Sequence, residues 1–316
     1  MRIAVLLPCY NEGAIIGKVV RKFRAFLPAA TIYVYDNNST DETISEAKAA
    51  GAVVRLESIQ GKGQVVCRMF ADIDADLYVL CDGDGTYAEA DAPRMIRAVL
   101  KNQLDMVTGV RVVRNGSPYR LGHQLGNRLL SIAVGTLFGQ KITDLFSGYR
   151  VFSRRFVKSF PALSRGFEIE TEITIHAIEM RMHIGEVETV YSERDKRTQS
   201  KLRTFRDGSR VLSTIALLLK EERPLRTFTV LALLLAIGSL ALGFPVIAEF
   251  LETGLVLRLP TAILALGLMI LATLSFFSGL ILDSVTRTRR ELRRLNYLSY
   301  EAPILSPEGS LEHSDE

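Results

Sequence analysis

Tyr78-Val79-Leu80-Cys81-Asp82-Gly83-Asp84-Gly85-Thr86-Tyr87 is the stretch from which the rest of this chain can be read. Four largely apolar residues with β preference run straight into two aspartates separated by one glycine. A short buried strand that ends in a glycine-rich turn is a natural mouth for a site in an α/β domain, where ligands sit at the carboxyl ends of strands. Two carboxylates one residue apart on a turn can face one hard cation. Magnesium or manganese held in this way completes its shell with phosphate oxygens. The stretch therefore suggests a metal–diphosphate site, with a solvated acidic turn as the plain alternative. An EF-hand is excluded, because the ligand spacing and the glutamate at the twelfth loop position are missing.

Composition narrows the setting. The chain has 316 residues, 48% of them hydrophobic, and a net charge of +4. Its basic residues cluster late, which points to a membrane surface and away from nucleic acid. Cys9, Cys67 and Cys81 form no metal-binding spacing and read as reduced, mostly buried thiols. The opening apolar run ends at Pro8 and is too short for a signal peptide.

Upstream of the acidic turn, residues 3–7 form an apolar strand followed by Pro8-Cys9-Tyr10-Asn11-Glu12 and a helical pattern over 14–26. No GxGxxG follows that strand, so a dinucleotide fingerprint is absent. A second strand over 32–35 runs into Asp36-Asn37-Asn38-Ser39-Thr40-Asp41, with Ser39 or Thr40 as the expected N-cap of a helix reaching residue 50. A short strand over 53–56 and the turn Gly61-Lys62-Gly63 precede a helix near 64–74; the turn lacks the spacing of a P-loop. Downstream, a helix over 90–101 and a strand over 105–110 complete an alternating β–α pattern. That pattern argues for a mostly parallel sheet with helices on both faces. Three strands end in polar turns, and in a parallel sheet such tips share an edge and converge on one ligand.

Taken together, Pro8-Cys9-Tyr10-Asn11-Glu12, Asp36 to Asp41 and Asp82-Gly83-Asp84 resemble three motifs of the family 2 glycosyltransferases, which have the glycosyltransferase A fold, an α/β fold that takes nucleotide-diphospho-sugars. The resemblance implies that Pro8, Tyr10, Glu12 and Asp36 hold the base and ribose of a UDP- or GDP-sugar. It assigns Asp82 and Asp84 to the diphosphate and its Mg2+ or Mn2+, and brings Lys62 near the nucleotide, although a solvated lysine in a glycine turn fits equally. Further on, Thr143-Asp144-Leu145-Phe146-Ser147-Gly148-Tyr149-Arg150-Val151-Phe152, Gly166-Phe167-Glu168-Ile169-Glu170-Thr171-Glu172 and Ser200-Lys201-Leu202 resemble the polyprenyl-phosphate sugar transferases, the group of dolichyl-phosphate mannose synthases and undecaprenyl-phosphate glucosyltransferases. The match covers roughly residues 1–210. It implies that Arg111, with Arg120 or Arg128, binds a lipid phosphate, that Asp144 acts near the acceptor, and that Arg194 and Lys201 lie on a loop closing over the donor. Such relatives can be tetrameric, so a homo-oligomer is an expected partner. Two positions depart from the pattern: Thr86 stands at the third metal-ligand position, often glutamine, and Arg197 stands where the loop usually has glycine.

The chemistry asks for these residue types. Sugar transfer builds negative charge on the leaving phosphate, which a divalent ion and nearby Lys or Arg stabilise. A lipid phosphate, with a second pKa of about 6, is already ionised and needs positioning by cations more than a general base. Asp144 then orients an arginine or the sugar, against a bland capping or salt-bridge role. Of Glu168, Glu170 and Glu172, at least two read as solvated or capping.

Residues 227–248 and 259–282 carry no charge, and at 1.5 Å per residue each run exceeds a hydrocarbon core of roughly 30 Å. Lys220, Arg223 and Arg226 precede this hairpin, and Arg287, Arg289, Arg290, Arg293 and Arg294 follow it. The positive-inside rule then places both ends, and the part before the hairpin, on the cytoplasmic side, and the resemblance to the bacterial glucosyltransferase branch implies a bacterial inner membrane. The expected organisation is a glycosyltransferase domain (1–204), an interfacial amphipathic helix (205–226), a transmembrane hairpin (227–282), a basic helix (283–302) and a disordered tail (303–316). The segment 121–138 reads as a second interfacial helix or a buried core helix. The resulting expectation is an inverting transferase moving glucose or mannose to a polyprenyl phosphate. The alternatives are a membrane-anchored binding protein without turnover and a processive polysaccharide synthase. The synthase would carry a Gln-x-x-Arg-Trp motif, and the chain has no tryptophan.

Overall fold

A computed structural model describes residues 1–113, 142–161, 169–192 and 223–303. Arg120, Arg128, Glu168, Arg194, Arg197 and Lys201 lie outside the described residues, as do the segment 121–138, most of 205–226 and the tail from residue 304. The chain divides into two compact units, Met1–Val211 with Arg293–Glu316, and Leu212–Leu292.

The first unit alternates strands and helices as the periodicity requires. Its elements are β1 (Ile3–Cys9), α1 (Gly13–Phe26), β2 (Thr31–Asp36), α2 (Thr43–Ala49), β3 (Val53–Leu56), α3 (Lys62–Asp72), β4 (Leu77–Leu80), α4 (Ala92–Lys101), β5 (Met106–Val113), β6 (Arg150–Ser153), α5 (Arg154–Ser159), α6 (Ile169–Glu179) and β7 (Ile184–Tyr191). The strands form one sheet in the order β3-β2-β1-β4-β6-β5-β7. β6 runs antiparallel to both of its neighbours, and the other pairings are parallel. Helical stripes cover both faces. Ile16, Val19, Val20 and Phe23 of α1 and Met95, Ile96 and Val99 of α4 share one core, while Val65, Val66, Met69 and Phe70 of α3 pack with Phe152 and Phe156 in the other. Both faces of β1 are therefore buried, which explains its unbroken apolar run.

Two boundaries differ from the sequence reading. β5 extends to Val113, so Arg111 lies within the strand, opposite Thr189 of β7, and not after it. The N-cap of α2 is Glu42, with no side-chain cap bond, and not Ser39 or Thr40. Those two residues are engaged across the strand tips: the Asn11 N–H donates to Ser39 Oγ at 2.8 Å, and the Thr40 N–H donates to Asn11 Oδ1 at 2.8 Å. Asp41 accepts from the Thr43 N–H near the helix start instead.

The end of the last helix, α8 (Leu259–Leu298), contributes to this first unit from Arg293 onward. Tyr297 is 7% exposed and joins the core around Phe156. Its hydroxyl donates to Asp105 Oδ2 at 2.9 Å, and Asp105, wholly buried at the start of β5, also takes Arg155 and the Ser153 hydroxyl. Burial, with Asp105 beside it, pushes the Tyr297 hydroxyl up to about 12. Tyr297→Phe removes a hydrogen bond to a charged group, so a loss of about 1.5–3 kcal/mol in denaturant unfolding of the full chain is expected.

The second unit holds α7 (Pro224–Thr253) and most of α8. α7 ends on Gly254, in the left-handed region at φ 69°, whose N–H donates to the Phe250 carbonyl at 2.8 Å. The two helices touch through small residues: the Ser239 hydroxyl donates to the Ala265 carbonyl at 2.7 Å, and Gly279 lies against Phe228. Leu234, Phe244, Ile247, Ile263, Leu266 and Ile281 remain exposed. Both helices are long and apolar enough to cross a membrane.

Candidate active site

The carboxyl ends of β2, β1 and β4 lie side by side, because these strands are neighbours in the sheet. Backbone donors of the first tip are closed by side chains of the second: the Glu12 N–H donates to Thr43 Oγ1 at 2.9 Å and the Gly13 N–H to Asp41 Oδ2 at 2.9 Å. Asn11 and Asn38 turn the chain with φ of 53° and 65°, a region asparagine tolerates. Asn37 spends its amide on the following loop, donating to the Glu57 and Ile59 carbonyls and accepting from the Gly61 N–H, each at 2.8 Å. That brace delivers Lys62 at the start of α3. Glu12 and Asp36 are both buried, and Asp36 keeps one carboxylate oxygen, Oδ1, without a hydrogen-bond partner. A buried acceptor left open at a strand tip is a place for a ligand hydroxyl.

The third tip carries the acidic turn. A Cβ on Gly83 would sit 2.4 Å from Cys9 Sγ, so the residue between the two aspartates has to be glycine for the tips of β4 and β1 to approach. Asp82 keeps 28% of its side chain exposed and pairs with the Lys62 ammonium at 2.6 Å. The same ammonium reaches Glu170 Oε1 of α6 at 2.5 Å. Asp84 points inward: its Oδ1 accepts from the Thr86 N–H at 3.1 Å and the Thr86 hydroxyl at 2.7 Å. Burial raises the Asp82 carboxyl above its ordinary range, and Asp84 and Glu170 add to the rise while Lys62 opposes it.

A second charged pair completes the edge. Arg111 grips Asp144 in a two-pronged ion pair, Nε to Oδ2 and Nη2 to Oδ1, both 2.7 Å, and lies over the Tyr191 ring at 5.5 Å. The loop that carries Asp144 also touches the acidic turn. A Cβ on Gly148 would lie 2.3 Å from Asp82 Oδ2, and the Gly148 N–H donates to the Tyr87 hydroxyl at 2.8 Å. Arg150, 1% exposed, fixes the loop from beneath by donating to the Leu145 and Ser147 carbonyls at 2.8 and 3.0 Å and to Thr174 Oγ1 at 2.9 Å.

Pro8, Tyr10, Glu12, Asp36, Lys62, Asp82 and Asp84 thus belong to one edge, and Arg111 with Asp144 is joined to it through the loop 143–148. Thr86 is 2% exposed, and its N–H and hydroxyl both donate to Asp84 Oδ1. The expectation that at least two of the three glutamates are solvated or capping is corrected for Glu170 and Glu172, which are 5% and 7% exposed; α6 is buried on every side and its acids turn inward. Glu170, Gly148 and Arg150 are the site residues that sequence reasoning passed over. The residues present fit a hard divalent cation: the side chains around the turn offer oxygen donors, with the Asp82 and Glu170 carboxylates on one ammonium and Asp84 two residues beyond Asp82. Among the described residues no group of three His, Cys, Asp or Glu side chains is placed to hold an ion.

A seven-stranded sheet with this edge defines the nucleotide-diphospho-sugar transferase class of fold. It aligns with glucosyl-3-phosphoglycerate synthase from Mycobacterium tuberculosis, crystallised with Mn2+, UDP-glucose and phosphoglyceric acid, at a TM-score of 0.55 and 23% identity, covering 68% of this chain and 78% of that one. The chain belongs to glycosyl transferase family 2, whose family model matches residues 4–160. Glycosyltransferase AglJ of Haloferax volcanii is 30% identical over 94% of this chain and 98% of its own length. An uncharacterized protein of Shigella flexneri is 55% identical over 49% of this chain and 95% of its own. A dolichyl-phosphate hexose transferase of Haloferax volcanii is 25% identical over 70% of this chain and 95% of its own.

Proposed function

We propose that this glycosyltransferase moves one hexose, with inversion, from a UDP- or GDP-sugar to a polyprenyl phosphate at the cytoplasmic face of a bacterial inner membrane. The observation that carries the reading is the loop 143–148, whose Gly148 backs Asp82 and whose Asp144 holds Arg111. A diphosphate end and a phosphate-binding cation are thereby tied to one support. Glu12 and Asp36 take the base and ribose, with the open Asp36 oxygen for a ribose hydroxyl, and Pro8 and Tyr10 flank them. Asp82 and Asp84 hold Mg2+ or Mn2+, which supplies electrostatic relief for the charge growing on the leaving diphosphate.

Arg111 binds the acceptor phosphate and offsets its repulsion from the donor. Asp144, bonded to both prongs of the guanidinium, aims it and removes no proton, since a phosphate oxygen is already anionic. Arg194 and Lys201, outside the described residues, are assigned to the donor by the family resemblance alone. The two apolar helices and the basic residues flanking them support a chain anchored twice, with its lipid substrate delivered from the bilayer. The dolichyl-phosphate hexose transferase relative supports the acceptor class, and the fold's likeness to a UDP-glucose-binding synthase favours glucose over mannose.

The test is purified protein in lipid with undecaprenyl or dolichyl phosphate and a panel of UDP- and GDP-sugars. Glycolipid is expected from at least one donor, lost on chelation and restored by Mg2+ or Mn2+. Asp84→Ala is expected to lower turnover about a hundredfold or more. Unchanged turnover in that variant would remove the metal role of Asp84, and no glycolipid from any donor would sink the transferase reading.

A further inference from the structure

Glu170 is a carboxylate that the reaction above leaves without a task. It stands in the first turn of α6, 108 residues from Lys62 in sequence, and is almost fully buried. Oε1 accepts the Lys62 ammonium, while Oε2 is buried with no hydrogen-bond partner. Desolvating a carboxylate is costly, and one left half satisfied inside a protein calls for a reason. Its backbone is held independently: the Thr174 hydroxyl donates to the Glu170 carbonyl at 2.9 Å and in turn accepts from Arg150.

Lys62 has three donors and reaches two carboxylates at once, Asp82 at 2.6 Å and Glu170 at 2.5 Å. An Asp82 oxygen covered by an ammonium is a poor ligand for a divalent cation, because the lysine both occupies it and repels the ion. The three side chains differ in freedom. Lys62 and Glu170 are 12% and 6% exposed and held in place, whereas Asp82 is 28% exposed at the open edge. With Glu170 present, the lysine has a carboxylate to keep, including a spare acceptor oxygen, when Asp82 leaves it.

We propose that Glu170 is a positioning residue that retains the Lys62 ammonium when Asp82 turns to a divalent cation, so that the lysine remains charged beside the donor diphosphate without blocking the metal-binding carboxylate. The inference rests on the donor-site reading above. Without Glu170, the Lys62 ammonium stays on Asp82 and competes with the cation for it.

Mn2+ binding is measured by electron paramagnetic resonance on the full chain in detergent, with UDP and separately with GDP, for wild type, Glu170→Gln, Lys62→Met and the double variant. Glu170→Gln is expected to weaken Mn2+ at least about tenfold, the scale of one hydrogen bond between charged groups. In the Lys62→Met background the same change is expected to matter less than about twofold, because no lysine is left to compete. Wild-type affinity in Glu170→Gln overturns the proposal. So does equal weakening in both backgrounds, which would make Glu170 a simple source of negative charge. Lys62→Met leaves Glu170 buried without its lysine; if it does not fold, Glu170→Asp decides, with Mn2+ affinity within about threefold of wild type expected and a Gln-like loss overturning the proposal. Wild type that binds Mn2+ with neither nucleotide overturns the donor-site reading itself, a result distinct from a failure of Glu170 alone.

Discussion

Gly148→Ala is expected to cut sugar transfer at least about a hundredfold while leaving the fold in place. The added Cβ would lie 2.3 Å from Asp82 Oδ2, 2.7 Å from Cγ and 2.8 Å from Oδ1, so the Asp82 carboxylate has to move. It can do so cheaply, since part of its side chain faces the open edge. The displaced group is the far end of a side chain and not backbone, so the unfolding free energy is expected to change by less than about 1 kcal/mol. On the proposed reading, a carboxylate shifted by an ångström no longer shares an ion with Asp84, and transfer is expected to fail for want of geometry. Turnover and denaturant unfolding measured on the same preparation separate the two effects. Wild-type turnover in this variant would show that Asp82 does not work from the position seen here.

Arg150→Met is expected to do the reverse and strike the fold first. The guanidinium is fully enclosed, and burial lowers its pKa while Glu170 and Asp144 pull it back up. Among the described residues it is bonded by neutral acceptors, the Leu145 and Ser147 carbonyls and the Thr174 hydroxyl. Methionine fills the space and leaves those buried groups unpaired, so a loss of about 3–5 kcal/mol is expected in denaturant unfolding. Arg150→Lys is expected to recover little of it, because an ammonium cannot span three acceptors with the geometry of the fork. Activity falls with the loop that carries Asp144 and Gly148. An unfolding midpoint equal to wild type would mean that the loop is held by other contacts.

The pair of variants also shows what could be read from the chain alone. β1, β2 and β4 announced themselves because each is a run of apolar, β-favouring residues that leads into a polar turn, whereas β7, with glutamates at positions 186 and 188, was not read as a strand. Their adjacency followed from the alternation with helices. β6 was hidden inside the motif Ser147-Gly148-Tyr149-Arg150-Val151-Phe152, because four residues are too few to show a period. Glu170 stayed hidden for a different reason. A glutamate near a helix start is usually a surface residue, and its partner Lys62 belongs to another helix, 108 positions away. Arg150 gave no signal either, since neutral backbone acceptors leave no trace in a sequence. The N-cap of α2 was misplaced because the best-looking caps, Ser39 and Thr40, are engaged with Asn11 on the neighbouring strand tip. Local preference lost to a contact across the sheet.

Tyr297 sits in the core of the first unit, near the end of the second apolar helix and after both charge-free runs in the chain. Because a ribosome works from one end to the other, the sheet has to wait, with the Asp105 site open, while everything up to α8 is made. The end of the last helix, from Arg293 onward, is a latch made after both apolar segments. The Asp105 site is therefore closed last, after both apolar segments have been made.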